Sequence, residues 1–468
     1  MSKVGLASIF NARRGKGRDL PIERPAKAQG PVDTAGLGRE QRELFDIMEN
    51  TDKSLFVTGK AGTGKSYLLN FFVANSQKAI AVVAPTGVAA INVRGQTIHS
   101  FFRIPTKTPF SKEDLRPTPS QELLYQELDA IVIDEVSMVR ADVMDAIDHI
   151  LKSANKSDRP FGGKQMLMFG DLYQLPPIAD PQEKRFLDDM FGGTFFFHAP
   201  AIRVGLEIHE LTHVFRQKDP CFIEILNQVR EGDISDASLR RLNQRAIDMD
   251  EDPAVVIAPT RQAVDLINST TLNNDDECEG PVFSYEAAID GNIKETEFPT
   301  QKTLKLRVGA RVMMLKNDSG TSSDRPQENR RWVNGTLAQI SRLSKDAIWV
   351  MVNGVSHRLD RFTWQKIRYA YDEKKKKLNS RVTASFTQFP ITLAWAITVH
   401  KAQGATYQSV GVDMASGMFA HGQTYVALSR CVDMNRLYLS RPVSRTDILT
   451  SEEVKAFMHD TSQPLSSA

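Results

Sequence analysis

Eight residues near the start of the chain have the types and spacing of a phosphate-binding loop. Gly59-Lys60-Ala61-Gly62-Thr63-Gly64-Lys65-Ser66 fits the pattern G-x-x-x-x-G-K-[ST], after an apolar stretch of strand length and before a helical one. Glycines let backbone N–H groups curl around phosphate oxygens, and a helix N-terminus adds partial positive charge. In such a loop Lys65 reaches the terminal phosphates and Ser66 can ligate Mg²⁺. The pattern therefore predicts a nucleotide site.

A pair of carboxylates forms the second candidate group. Asp134 and Glu135 close the apolar run "AIVI", which places them at the carboxyl edge of a predicted strand, where ligands of open α/β sheets bind. Taken alone, an acidic pair after a strand is more typical of an exposed turn. With the phosphate loop upstream, the pair favours catalysis, in which Asp134 holds Mg²⁺, commonly through water, and Glu135 polarises an attacking water.

Three further polar side chains follow apolar segments and fit the same chemistry. Gln174, in "FGDLYQLPP", could bridge an attacking water or the γ-phosphate to the neighbouring cleft. Arg216, in "LTHVFRQKD", and Arg430, in "YVALSRC", follow segments predicted for a second sheet. Singly, each arginine is more typical of a salt bridge. A phosphate loop in one lobe nevertheless leaves the transition-state charge to be balanced by cations from another lobe, a role that suits arginine.

The elements that must position these residues are predicted to be parallel strands and helices. The strand candidates "SLFVTG" (54–59), "AIAVVAP" (79–85), "AIVIDE" (130–135) and "QMLMFGD" (165–171) alternate with helical stretches. Apolar runs of this kind are expected for parallel strands covered on both faces, so the fold class is predicted to be α/β.

A second sheet of the same type is predicted further along the chain. Its candidate strands are "LEIHEL" (206–211), "AVVIAPT" (254–260), "SVGVDM" (409–414) and "LYLS" (437–440). Between them, residues 303–389 change to short alternating segments separated by turns, a texture that predicts antiparallel strands.

Composition excludes several classes of protein. The 468 residues exceed one ordinary domain, and 41% hydrophobic and 25% charged residues are typical of a globular chain. No uninterrupted apolar stretch is long enough for a membrane helix, so no membrane partner is expected. Three scattered cysteines predict neither a disulfide framework nor a zinc site. The formal net charge of +2 means that a polyanion must be bound by a local groove.

The first 37 residues are predicted to be a flexible basic arm. Between Met1 and Gly30, seven basic residues face only Asp19 and Glu23. The arm is interpreted as a solvated tail, with nucleic-acid contact and an organellar transit peptide as open alternatives.

Taken in order, these segments resemble the motifs of superfamily 1 DNA helicases of the PIF (petite integration frequency) group, which is related to RecD-like and Dda-like helicases. The segments that carry the resemblance run from about Gly38 to Ser440: "GREQRELF", "GKAGTGKS", "APTGVAA", "TIHSFF", "IDEVSM", "RPFGGKQMLMFGDLYQLPP", "LTHVFRQ", "ITLAWAITVHKAQGATYQSVGVD" and "YVALSRC". This chain departs from the family pattern in the segment "GDLYQLPP", where members of the family more usually have Phe in the neighbourhood of Leu172–Tyr173.

The resemblance implies two RecA-like P-loop NTPase domains with parallel sheets and a small inserted β-barrel domain. The first domain would span residues 38–205, with a wedge hairpin at 102–119, and the second would span 206–302 and 390–450. The barrel would span 303–389, and a C-terminal tail would span 451–468.

The resemblance also implies roles for further residues, and it implies ATP, Mg²⁺ and DNA as the molecules that the protein binds. Gln41 would read the adenine of ATP, and Gln403 or Gly404 would couple nucleotide to DNA. The positions carried over as facing single-stranded DNA are Thr86, His99, Thr398, His400 and Lys401. Aromatic rings offer stacking faces for bases, and the aromatics nearest the motifs are Phe101, Phe102 and Trp395. Of these, Phe101 is predicted to contact DNA, whereas Phe102 and Trp395 fit core positions equally well. The expected activity is ATP-dependent, Mg²⁺-requiring translocation 5′ to 3′ on single-stranded DNA, with unwinding of forked or structured DNA, by a monomer. A cytoplasmic or nucleoid location is the default expectation, with nuclear or organellar locations open.

Two other functions remain as alternatives. A switch or loader ATPase of another P-loop class would not unwind DNA, and "ALSRC" and "HKAQGAT" argue against it. A DNA-binding scaffold with a relict nucleotide site would be favoured by a damaged phosphate loop or acid pair, and both are intact.

Overall fold

The computed structural model describes residues 20–21, 34, 36–93, 95–105, 110, 115–246, 253–316, 318, 331–332, 334–372 and 377–462. The helices are α1 (Arg39–Asn50), α2 (Lys65–Asn75), α3 (Gly87–Asn92), α4 (Ile98–Phe102), α5 (Pro119–Gln126), α6 (Ala141–Asn155), α7 (Pro181–Phe191), α8 (Pro220–Glu231), α9 (Asp236–Asn243), α10 (Arg261–Leu272), α11 (Val399–Ala402), α12 (Gln423–Leu428) and α13 (Glu452–Ser462). The strands up to the end of the first sheet are β1 (Leu20–Pro21), β2 (Ser54–Gly59), β3 (Ile80–Ala84), β4 (Gln96–Thr97), β5 (Ala130–Ile133), β6 (Gln165–Phe169) and β7 (Leu206–Leu211). The later strands are β8 (Val256–Ala258), β9 (Glu279–Glu286), β10 (Ala288–Gly291), β11 (Thr303–Val308), β12 (Arg311–Met314), β13 (Leu337–Leu343), β14 (Ile348–Val352), β15 (Val355–Leu359), β16 (Phe362–Asp372), β17 (Lys377–Gln388), β18 (Ile391–Leu393), β19 (Ala396–Thr398), β20 (Val410–Val412) and β21 (Leu437–Leu439).

The first lobe is built on a six-stranded sheet with the order β4-β3-β5-β6-β2-β7, and every pairing in it is parallel. The central strands β5 and β6 are buried along their whole length, as expected for strands covered on both faces. One face packs on α1 and α2 through residues such as Phe45 and Phe72, and the other packs on α5 and α6 through residues such as Tyr125 and Ile147. The predicted α/β class and the predicted strands of the first sheet are confirmed.

The second lobe is built on a four-stranded parallel sheet with the order β19-β8-β20-β21. Apolar residues of α8 and α12, among them Phe222 and Val426, share one buried cluster with these strands. Three of the predicted second-sheet segments lie here.

The fourth segment, "LEIHEL", was predicted for the wrong sheet. It forms β7, which pairs in parallel with β2 of the first lobe along its whole length, from Ser54↔Leu206 to Gly59↔Leu211. The sequence of a six-residue strand does not indicate which of two parallel sheets the strand joins. The domain boundary predicted at 205/206 therefore lies after this strand, and the loop that follows it begins beside the phosphate loop.

The predicted insertion consists of antiparallel strands. A five-stranded sheet has the order β15-β14-β13-β12-β18, β9 pairs with β11, and the long hairpin β16–β17 is joined by β10 and β1. Since β9 and β10 precede residue 303 and β18 follows residue 389, the antiparallel region is wider than the predicted span. Closure of these strands into a barrel stays a prediction.

The remaining predicted segments have different outcomes. The N-terminal arm, apart from the strand β1 and the residues just before α1, lies outside the described residues, as do 106–109 and 111–114 of the predicted wedge. The C-terminal tail contains α13, whose Phe457 stacks on Phe197 of the first lobe at 4.3 Å between ring centres. The three cysteines are free. Within the described part of the chain, no helix is long and apolar enough to cross a membrane.

Candidate nucleotide and DNA site

The phosphate loop connects β2 to α2, and its backbone geometry needs glycine. Gly62 and Gly64 both have φ of +85°, and a Cβ atom at Gly62 would lie 2.6 Å from the Cβ of Arg216. Lys65, the first residue of α2, donates from Nζ to the carbonyl oxygens of Gly59 at 2.6 Å and Lys60 at 3.1 Å. Burial lowers the pKa of Lys65, against the attraction of Asp171 and Glu135. The loop, the helix N-terminus and the lysine together form a site for an anion.

The acid pair lies at the carboxyl end of β5, beside that lysine. Glu135 has a left-handed backbone with φ of +52°. Burial, reinforced by the charge of Asp134, raises the pKa of Glu135 to about 8. Burial likewise raises the pKa of Asp134 to about 6, although Lys65 opposes the shift. Two crowded carboxylates of this kind are stabilised in the ionised form by a cation.

The side chains fit a magnesium ion that keeps water and phosphate ligands. Ser66, at the start of α2, has an exposed hydroxyl-bearing side chain, and Asp134 supplies a carboxylate. Mg²⁺ is commonly held by one or two protein oxygens plus substrate phosphates. The described ranges contain no group of three or more His, Cys, Asp or Glu residues arranged to hold a metal by themselves.

Two glutamines from different lobes meet at the acid pair. Gln403, just after α11, donates from Nε2 to Glu135 Oε2 at 2.9 Å and to Gln174 Oε1 at 3.2 Å. Gln174 in turn donates from Nε2 to Asp171 Oδ2 at 3.1 Å. The structure therefore brings the predicted residues Glu135, Gln174 and Gln403 together.

The two arginines approach from different sides. Arg216 follows β7 of the first lobe, which corrects its predicted placement after a second-sheet strand, and it donates to the Ser429 carbonyl at 3.1 Å. Arg430 follows α12 of the second lobe, is 1% exposed and donates to the Val426 carbonyl at 2.9 Å and to Ser429 Oγ at 2.8 Å. Burial, with the neighbouring charge of Arg430, lowers the pKa of Arg216 to about 9. The partly exposed Arg216 and the buried Arg430 are both bonded to neutral acceptors, and they provide positive charge for an anionic group between the lobes.

The base end of the predicted nucleotide site contains Gln41 and Gly404. Gln41 is buried, accepts from the Gly38 N–H at 3.1 Å and donates to the Gly64 carbonyl at 3.3 Å. Gly404 is exposed with φ of +78°, and its carbonyl accepts from Arg216 at 3.5 Å. The adenine-reading and coupling roles stay predictions.

Two residues of the site were missed by sequence reasoning. Phe215 is 56% exposed, lies near Gly38 and Gly64, and donates its N–H to the Gly62 carbonyl at 2.9 Å. Tyr425 of α12 is buried, and its hydroxyl accepts from the N–H of Ala61 in the phosphate loop at 2.8 Å. Both occur within quoted motifs, "LTHVFRQ" and "YVALSRC", so proximity in sequence to the arginines was the available signal.

Five of the six predicted DNA-facing residues lie at or near the surface. Thr86 and Thr398 accept backbone N–H bonds from Ala89 and Lys401, each at 3.2 Å, at the start of short helices. His400 and Lys401 are exposed, and His99 is half-buried.

The sixth, Phe101, is not placed as predicted. Its ring is 4% exposed and packs edge-on against Phe102 at 4.8 Å and Tyr125 at 5.5 Å between centres. The prediction rested on the position of Phe101 within a motif, whereas α4 directs this ring into the core of the first lobe. Phe102 and Trp395 are also buried, which favours the core reading of both aromatics.

A family model and individual known proteins both show similarity of this chain to the same family. The family model for PIF1-like helicases matches residues 36–240. The ATP-dependent DNA helicase Pif1 of Bdellovibrio bacteriovorus is 30% identical over 419 residues, which cover 87% of this chain and 89% of that protein. The ATP-dependent DNA helicase PIF1 of Emericella nidulans is 29% identical over 86% of this chain, and the match spans 60% of that longer protein.

Solved structures of similar sequence share the fold. A Bacteroides Pif1 in complex with ADP-AlF4 matches with a TM-score of 0.80 and 35% identity, covering 91% of this chain and 96% of that chain. A Bacteroides Pif1 bound to single-stranded DNA matches with a TM-score of 0.63 and 35% identity, covering 91% and 96%.

Proposed function

Because the chain belongs to the family of PIF1-like helicases, we propose that it is an ATP-dependent DNA helicase. The observation that carries this proposal is the meeting of two parallel-sheet lobes at one anion site. The first lobe contributes Lys65 and Glu135, and the second contributes Gln403 and Arg430. A site divided in this way lets hydrolysis of one phosphate bond change the distance between two lobes.

The residues take distinct roles in this proposal. Lys65 and the loop N–H groups bind the phosphates, and Ser66 with Asp134 holds Mg²⁺, which supplies charge neutralisation when bound. Glu135 polarises the attacking water, and Gln174 with Gln403 orients it. Arg216 and Arg430 balance the transition-state charge. Gln41 and the exposed ring of Phe215 contact the base.

The DNA partner follows from the surface residues. Thr86, His99, Thr398, His400 and Lys401 lie on short segments at the carboxyl ends of strands in both lobes, where hydroxyls, N–H groups and cations can contact phosphates. The Bacteroides relative is described as bound to single-stranded DNA. We propose 5′ to 3′ translocation by a monomer on single strands and unwinding of forked or structured DNA, in replication, repair, recombination or genome maintenance.

Two matched duplexes, one with a 5′ single-stranded tail and one with a 3′ tail, test the proposal. The expected result is ATP- and Mg²⁺-dependent unwinding of the 5′-tailed duplex alone, lost in Lys65→Ala. Unwinding of the 3′-tailed duplex would contradict the direction. If neither duplex opens while single strands still stimulate ATP hydrolysis, the protein is a translocase and the unwinding proposal fails.

A further inference from the structure

A buried arginine that no motif contains lies close to the nucleotide site. Arg230 is in the last turn of α8, is 4% exposed, and belongs to a helix whose apolar face packs in the core of the second lobe. Its Nη2 lies 3.3 Å from Asp171 Oδ1 and 3.4 Å from Glu210 Oε1. Its guanidinium also covers the ring of Tyr173 at 4.1 Å from the ring centre. Arg230 therefore joins a second-lobe helix to the first-lobe loop that follows β6.

The partner carboxylate determines the orientation of a side chain in the site. Asp171 is fully buried in an ion pair with Arg230, and a carboxylate in such a pair can only accept hydrogen bonds. The amide nitrogen of Gln174 must therefore face Asp171 Oδ2, at 3.1 Å, which turns the amide oxygen toward Gln403. Gln403 then donates its own amide nitrogen both to that oxygen and to Glu135 Oε2. Asp171, Gln174, Gln403 and Glu135 thus form a chain of hydrogen bonds. Every donor in this chain faces an acceptor only when both glutamine amides have the orientation seen here.

The positive charge of Arg230 keeps the two glutamine amides in this orientation. A buried carboxylate without a counter-ion is strongly disfavoured, and a protonated one would donate a hydrogen bond in place of accepting it. Gln174 could then turn its amide over, and its nitrogen would oppose the nitrogen of Gln403. We propose that Arg230 is a positioning residue for ATP hydrolysis, which acts through Asp171 to hold Gln174 and Gln403 in the orientation that supports Glu135. This inference rests on the proposed function.

A double-mutant cycle in the full chain tests the inference. Arg230→Met is expected to lower kcat for DNA-stimulated ATP hydrolysis about 10- to 100-fold, the usual effect of losing an outer partner of a catalytic group. KM for ATP and the affinity for ADP are expected to change less than threefold, because the ion pairs of Arg230 are with Asp171 and Glu210, which lie outside the phosphate loop. Arg230→Lys, which keeps the charge, is expected to recover part of kcat. In a Gln174→Ala background, Arg230→Met is expected to lower kcat less than twofold further.

The control variant is Arg245→Met. Arg245 is a half-buried arginine of the second lobe, bonded to the Leu437 and Asn435 carbonyls and placed over Tyr438. Its loss is expected to leave kcat within twofold. A merely structural role for Arg230 predicts equal losses in both Gln174 backgrounds or a parallel loss of ADP affinity, and either result would overturn the inference. If Arg230→Met does not fold, Arg230→Gln, which also removes the charge but keeps a polar side chain, gives the same cycle. A wild-type chain without DNA-stimulated hydrolysis would contradict the proposed function itself, whereas an active wild type with an active Arg230→Met would contradict the inference alone.

Discussion

At the residue scale, Arg216 and Arg430, which are proposed to balance the transition-state charge, differ from the buried Arg230 in their hydrogen-bond partners. Arg430 donates to a carbonyl and a hydroxyl, whereas Arg230 pairs with Asp171. Burial lowers the pKa of Arg430, and the acidic groups around it, among them Tyr425 and Glu135, oppose that shift. An arginine in this setting is stabilised when an anion enters the site, and most strongly when that anion gains charge.

Replacement of Arg430 is therefore expected to separate binding from turnover. Arg430→Ala should lower kcat by about a thousandfold or more, while ATP binding falls less than tenfold. Lys65→Ala should instead lower binding itself. Titration with a fluorescent ATP analogue and steady-state hydrolysis, together with a thermal unfolding curve to confirm folding, measure the two effects. Equal losses of binding and turnover in Arg430→Ala would refute the proposal that Arg430 balances the transition-state charge.

The sequence predicted those residues of the site whose types occur in a fixed spacing pattern. The spacing of Gly59, Gly64 and Lys65 is required by a loop that surrounds phosphate, so it can be identified without a structure. Tyr425 has no such pattern, because its bond to Ala61 joins residues 364 positions apart. Phe101 was misplaced for a related reason, since both aromatic rings of the five-residue helix α4 lie in the core, and a helix this short has no periodicity from which its buried face can be predicted.

At the element scale, the main difference between prediction and structure is the sheet to which β7 belongs. Strand texture predicts that a segment pairs, and periodicity predicts its faces, but neither selects between two parallel sheets. The pairing Gly59↔Leu211 brings the segment after β7 to the phosphate loop, where Phe215 bonds to Gly62. The antiparallel texture of 303–389, by contrast, was identified from sequence because alternation differs clearly from the apolar runs of parallel strands.

The loop after β21 gives a prediction about pH and stability. Asp447 accepts hydrogen bonds from Arg441 and Ser444, which lower its pKa to about 2, while its backbone carbonyl accepts from Thr424 of α12. The stabilisation is thus present above the ordinary aspartate pKa of about 3.9 and is lost as the pH falls toward 2. Asp447→Asn is expected to lower the free energy of unfolding by about 1–3 kcal/mol at pH 7, and by less at pH 3.

Urea unfolding at the two pH values measures that difference. Glu452→Gln, which breaks an exposed pair with Lys455, is the control and should have little effect at either pH. An Asp447→Asn deficit that stays constant between pH 7 and pH 3 would show that the carboxylate charge does not contribute.

At the scale of the whole molecule, the hairpin β16–β17 lies across the first lobe. β16 lies against α3, α4 and α5, and a cleft between them is lined by residues that include Gly87, Thr97, Ser100 and Trp364. At its rim, Lys366 donates to both oxygens of Glu297, at 3.1 and 2.9 Å. Thr86 and His99, predicted to face DNA, belong to the same part of the first lobe.

If DNA passes this rim, the ion pair sets how strongly Lys366 can contact a phosphate. Glu297→Gln releases Lys366, so affinity for single-stranded DNA is expected to rise at low salt. The slope of log affinity against log salt should become steeper by about 0.7, the value for one further neutralised phosphate on a single strand. Asp236→Asn is the matched control, because it also adds one positive charge and releases one cation, Arg445, from an ion pair of the second lobe away from the cleft. Fluorescence anisotropy over a range of salt concentrations distinguishes the two variants. Equal slopes would mean that net charge alone matters and that DNA does not pass between Lys366 and the first lobe, whereas a steeper slope for Glu297→Gln alone would place the strand beneath the hairpin.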